Sequence, residues 1–97
     1  MQSTIDTINL AEFKGLKISK LLDVEAKQIM TVTMEAGADF PKHDSKTDVT
    51  LIVLEGKLMF FINNQEFELN KHQVFQFPKD ELHHVNAIEN SKFLLVK

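Results

Sequence analysis

Four histidines, His43, His72, His83 and His84, are the residues of this chain best suited to chemistry near neutral pH. Imidazole changes charge between about pH 5 and 8 and is the commonest side-chain metal ligand. The chain has no cysteine, which excludes disulfides, thiolate zinc sites, iron–sulfur clusters and cysteine nucleophiles. All eleven basic residues are lysines. The missing arginine removes the planar fork that best grips phosphate or carboxylate with two hydrogen bonds. Ser45 stands two residues after His43, but no nucleophile elbow or oxyanion glycine loop accompanies it. No phosphate-binding loop or dinucleotide fingerprint is present. The glutamates at 35, 55, 66, 68, 81 and 89 fall at turns or on alternating polar faces and read as solvated.

The histidines need elements to position them, and the pattern is one of strands. "LKISKLL" (16–22) alternates, and "QIMTVTM" (28–34) alternates clearly, with Met30, Val32 and Met34 on one face and Ile29, Thr31 and Thr33 on the other. A period of two with β-branched residues predicts a strand. "EAGADFP" (35–41) reads as a turn. "DVTLIVLEG" (48–56) reads as a strand stopped by Gly56, and "KLMFFI" follows. "NNQ" links this to "EFEL" as a hairpin, since asparagine tolerates left-handed backbone. "VFQF" (74–77) ends at Pro78, which gives no N–H to a ladder. "LHHVNAI" and "KFLLV" complete the set. About eight short strands at this spacing predict an all-β sandwich or barrel. The competing reading, a helix over "LAEFKGLKISKLLDVEAKQIM", is interrupted by Gly15 and has irregular apolar spacing. Residues 1–15 read as an N-terminal arm, with Ser3 and Asp6 resembling an N-cap for a short helical turn.

Two segments carry a resemblance. In "GADFPKHDSKTDVTLIVLEG", Gly37, His43 and Gly56 stand at the spacings of the first motif of the cupin superfamily. In "HQVFQFPKDELHHVNA", Pro78 and His83 match the second motif, with Asp80 at a family glycine. The span from 37 to 87 thus resembles a cupin, which implies a small jelly-roll β-barrel over the single domain 1–97. Cupin metal sites use three histidines and a glutamate around iron, manganese, nickel or zinc. Here Ser45 stands for the second histidine and Val49 for the glutamate. The second motif's opening glycine is replaced by Lys71 or His72, and its closing asparagine by Ala87. Those losses bear on turns rather than on ligands.

If 43–53 is one regular strand, His43, Ser45 and Val49 face the interior while Asp44 and Asp48 face out. Parity therefore withholds Asp48 as a replacement carboxylate unless a bulge shifts it. His43 and His83 alone are a poor metal site, because stable centres normally offer three or four ligands. The expectation is a weakly bound divalent metal at most. His43, Ser45, Val49, Phe75, Phe77 and His83 are the candidate ligand pocket: a few polar groups on an apolar wall. Met30, Val32, Met34, Leu51 and Val85 extend that wall, though methionine and phenylalanine stripes also serve as plain core. The bland reading of His43 is a half-buried histidine hydrogen-bonded at a strand start. His84 and His72 read as solvated surface residues.

With 97 residues the chain suffices for one domain, burying roughly 60–65% of its unfolded surface. Its net charge of −3 argues against a nucleic-acid footprint. No apolar run approaches the length of a membrane span, and the N-terminus does not read as a signal peptide, so the cytoplasm is expected. The first functional expectation is a non-enzymatic or weakly enzymatic domain binding a small organic ligand in its barrel. The resemblance also implies an alternative, a dioxygenase or isomerase with a two-histidine metal centre. A third reading is an interaction module with a filled barrel, and pocket volume separates it from the first. Small cupins commonly dimerise, so a homodimer is expected.

Overall fold

The computed structural model describes residues 2–97. Nine strands follow a four-residue helix, α1 (Thr7–Leu10): β1 (Leu16–Val24), β2 (Lys27–Met34), β3 (Asp39–His43), β4 (Val49–Glu55), β5 (Lys57–Ile62), β6 (Gln65–Asn70), β7 (Val74–Phe77), β8 (His83–Ala87) and β9 (Ser91–Val96). They form two antiparallel sheets, five-stranded in the order β1-β2-β9-β4-β7 and four-stranded in the order β3-β8-β5-β6. The architecture is the expected all-β jelly roll, with one strand more than the sequence pattern predicts. The extra strand is β3, which lies where "EAGADFP" reads as a turn. Pro41 is tolerated there because β3 is a sheet edge and its register shifts between Phe40 and His43. The helical reading of 10–30 fails, since β1 and β2 occupy that stretch as an antiparallel pair.

Alternation builds the core. In β4, Val49, Leu51 and Val53 are buried, and in β9 Phe93 and Leu95 face them from the neighbouring strand. Across the gap, Leu58, Phe60 and Ile62 of β5 and Val85 and Ala87 of β8 close the other wall. β2 departs from this economy. Val32 and Met34 enter the core as expected, yet Thr31 and Thr33 on its opposite face are also only 2% exposed. That face borders the N-terminal arm. Lys92 holds the arm, donating from Nζ to the Ile8 carbonyl at 3.0 Å and lying 5.2 Å from the Phe13 ring centroid. Glu35 fixes the arm's end through backbone and side-chain bonds to Gly15. The residue at the N-cap of α1 is Asp6, without a side-chain capping bond; the expected Ser3 cap is not formed. Among the described residues no helix is long and apolar enough to cross a membrane.

The tight connection between β4 and β5 depends on Gly56. Its φ is +90°, and a Cβ there would collide with the Asn90 carbonyl oxygen and with Oγ of Ser91, which itself bonds the Lys57 backbone. Left-handed strain and overpacking then add. Gly56→Ala is expected to lower the unfolding free energy by about 2–4 kcal/mol, seen as a lower urea midpoint; an unchanged midpoint would contradict this packing.

Candidate functional site

The two motif histidines meet. His43 ends β3, His83 opens β8, and the two are register partners across the edge of the four-stranded sheet. Their rings pack edge to face with centroids 4.3 Å apart. Each is pinned the same way. Nδ1–H of His43 donates to the Pro41 carbonyl at 2.6 Å, and Nδ1–H of His83 donates to the Glu81 carbonyl at 2.9 Å. A carbonyl can only accept, so each neutral ring carries its proton on Nδ1 and keeps a lone pair on Nε2. Aromatic rings frame the pair. Phe40 stacks on His43 at 4.4 Å, Phe60 is parallel to His83 at 5.4 Å, and Phe77 tilts against His83 at 4.5 Å.

The cavity in front of these rings is small, about 10 Å³, which is room for roughly one water molecule. Of the six candidate pocket residues, His43, Phe77 and His83 line it; Ser45, Val49 and Phe75 do not. The physical reason is that 43–53 is not one strand. His43 ends β3 in one sheet and Val49 starts β4 in the other, with residues 44–48 looping between them. Ser45 sits in that loop, where its carbonyl accepts the Asp80 N–H at 2.8 Å. Val49 is buried in the wall, and Phe75 packs on Phe60 at 4.9 Å. Asp48 is exposed and accepts the Lys79 N–H. Phe40, Phe60, Phe93 and Leu95 also line the cavity; the sequence reading missed them because their contacts arise across strands. His84 is a second correction. It faces out, as alternation requires, but is half-buried and lies flat on Phe61 at 4.3 Å and 6°. His72 is exposed in its turn.

The cupin metal does not fit these residues. Two imidazole lone pairs stand where a stable centre needs three or four donors. The glutamate position is a buried valine, and Ser45 does not line the cavity. Among the described residues no three of His, Cys, Asp and Glu gather as a metal-holding group. Two imidazoles pinned through Nδ1 can instead accept a hydrogen bond at Nε2 from one small polar molecule.

Burial pushes the His83 imidazole below its ordinary value of 6.5, and the nearby His43 adds to the fall; the bond to the Glu81 carbonyl and the Asp44 carboxylate oppose it. A folded state that takes the proton less readily than the unfolded chain is destabilised by acid. The His83 contribution is therefore whole above about pH 6.5 and is lost as pH falls below that toward the depressed folded value. Melting temperature followed by circular dichroism is expected to decline from about pH 7.5 to 5.5, with a shallower decline in His83→Leu; parallel slopes would contradict this role.

The comparisons with known proteins agree with this fold. The chain superimposes on a cupin superfamily protein from Desulfitobacterium hafniense with a TM-score of 0.86 at 16% identity, covering 100% of this chain and 91% of that one. An RmlC-like cupin from Desulfovibrio desulfuricans gives 0.84 at 22% identity, over 99% and 94% of the two chains. Likenesses this distant show the fold alone. The cupin domain of Cnp3 from Schizosaccharomyces pombe gives 0.79 at 25% identity, over 91% and 68%. Among curated proteins none matches. The family described as cupin domain matches residues 30–96, a span holding both histidines and eight of the nine strands in whole or part, and the chain therefore belongs to the cupin domain family.

Proposed function

We propose that this cupin domain is a metal-independent, non-enzymatic module whose barrel interior serves as packed core, leaving binding to its outer surfaces. The observation that carries this reading is the small volume, about 10 Å³, of the cavity beside His43 and His83, which is lined by the protein's own aromatic and aliphatic side chains. Small-molecule sites usually measure ~300–1,000 Å³. A second reading keeps a small organic ligand in the barrel. It is favoured by the two pinned imidazoles, whose Nε2 lone pairs could accept hydrogen bonds from a hydroxyl or carboxyl group. That ligand could enter only if rings such as Phe40 or Phe77 swung aside.

Protein purified without added metal is expected to hold well under stoichiometric iron, manganese, nickel or zinc by elemental analysis. Near-stoichiometric metal that disappears in His43→Ala would overturn the metal-independent reading. Native mass spectrometry separates the other two readings: the bare mass supports a closed core, and a stoichiometric organic adduct supports the ligand.

The outer face of the five-stranded sheet supports a homodimer. Ile29, Ile52, Leu94 and Val96 are partly buried there, and Val74 is 61% exposed. Ladder pairing places Leu94, Ile52 and Val74 in one row across three strands, a continuous apolar strip. Such strips on a small protein mark association surfaces. Sedimentation at micromolar concentration is expected to give a dimer, and Leu94→Glu a folded monomer; a monomeric wild type would refute the dimer.

A further inference from the structure

We propose that the groove between the N-terminal arm and the outer face of β1 and β2 is a binding site for a short-chain aliphatic carboxylate, with the arm as its lid. This inference is independent of what the barrel interior does. The groove measures about 730 Å³, within the usual range for small-molecule sites. It lies beside β1, the free edge of the five-stranded sheet.

The floor contains a group that asks for a partner. Thr31 is 2% exposed, and its Oγ1 has no hydrogen-bond partner among the described residues. Buried hydroxyls in native proteins are nearly always satisfied, and an orphan marks a missing water or ligand. Alternation aims Thr31 and its register partner Ser19 to the same outward side, with Thr33 and its partner Lys17 next to them. Thr7 adds a fourth hydroxyl from the arm. These groups can donate to an acceptor head. Leu10 and Ala11 of the arm supply an apolar surface for a hydrocarbon body.

The charge at the rim selects the head. Among the described residues Lys17 has no carboxylate within ion-pair distance, whereas Glu12, the one acid in the lining, is engaged by Lys14 at 3.2 Å. The rim is thus locally cationic on a protein whose net charge is −3. A carboxylate meets the Lys17 ammonium and takes hydrogen bonds from hydroxyls without needing a donor of its own. The lid is lightly held. No residue of helix α1 is itself buried, Leu10 is 71% exposed, and the Lys92 contacts to Ile8 and Phe13 fasten the arm. Lifting it uncovers Thr31 at small cost in buried surface.

Octanoate is the probe, titrated into the isotopically labelled full chain and followed by amide and methyl resonances. Saturable shifts are expected at Leu10, Ser19, Thr31 and Thr33. Thr31→Val is isosteric and removes the orphan hydroxyl, so the unliganded variant should fold with unchanged or higher melting temperature while octanoate binding weakens about tenfold. Lys17→Gln should weaken octanoate but leave octanol unaffected. Absent saturation in the wild type, equal affinity in Thr31→Val, or preference for octylamine would each overturn the proposal.

Discussion

Phe60 is the side chain around which the two sheets pack. It stands at the centre of β5, 1% exposed, and reaches across the gap to Phe75 and Phe77 of the opposite sheet at 4.9 and 4.8 Å. On its own sheet it lies parallel to His83. One ring therefore ties both sheets together and fills the volume in front of the histidines. Removing a buried phenylalanine costs about 3–5 kcal/mol, against a total stability of roughly 5–15 kcal/mol for a domain. An occupant of the interior would have to replace that packing in full. The smallness of the cavity thus follows from what holds the fold together, and His43 and His83 pack within an aromatic cluster.

The same packing accounts for how the histidine pair keeps its geometry without a full set of metal ligands. The hydrogen bonds from Nδ1 of His43 and His83 to the carbonyls of Pro41 and Glu81 are local, each spanning two residues. They orient the rings whether or not anything lies between them. Val49 in the glutamate position adds hydrocarbon to the wall of β4, where a bare carboxylate in an apolar wall would need a cation to compensate it. The turns were kept by other means. His72 and Asp80, at positions where the family motif has glycine, hold φ values of +72° and +64°. Aspartate and histidine enter the left-handed region more readily than most residues, so the chain still reverses where it must. That geometry also favours His72 over Lys71 as the counterpart of the motif's opening glycine.

Much of the fold was legible because its signals are local. The alternation of 28–34 correctly separated the core-facing Val32 and Met34 from Thr31 and Thr33 on the other face, though it did not show that the arm buries those threonines too, and Gly56 and Pro78 marked real strand ends. Motif spacing brought His43 and His83 together. What failed required knowledge of pairing. No local pattern shows that "DFPKH" is an edge strand, because Pro41 argues against a strand until the edge supplies the reason. Treating 43–53 as one strand carried Ser45 into the pocket, whereas the break at 44–48 moves it into a loop. Phe40, Phe60, Phe93 and Leu95 come from four strands and meet only once the two sheets face each other. The stack of His84 on Phe61 is a cross-strand pair set by register, invisible from either segment alone.

An aromatic interior with room for about one water and an orphaned hydroxyl beneath the N-terminal arm are the two observations behind the proposed reading, in which binding lies on the outer surfaces. The most direct test of the closed core is the xenon-pressurised crystal structure, since xenon enters dry cavities without needing a polar partner. The account predicts no xenon inside the wild-type barrel and a single site beside His83 in Phe60→Ala. Xenon seated among Phe60, Phe77 and His83 of the wild type would contradict it.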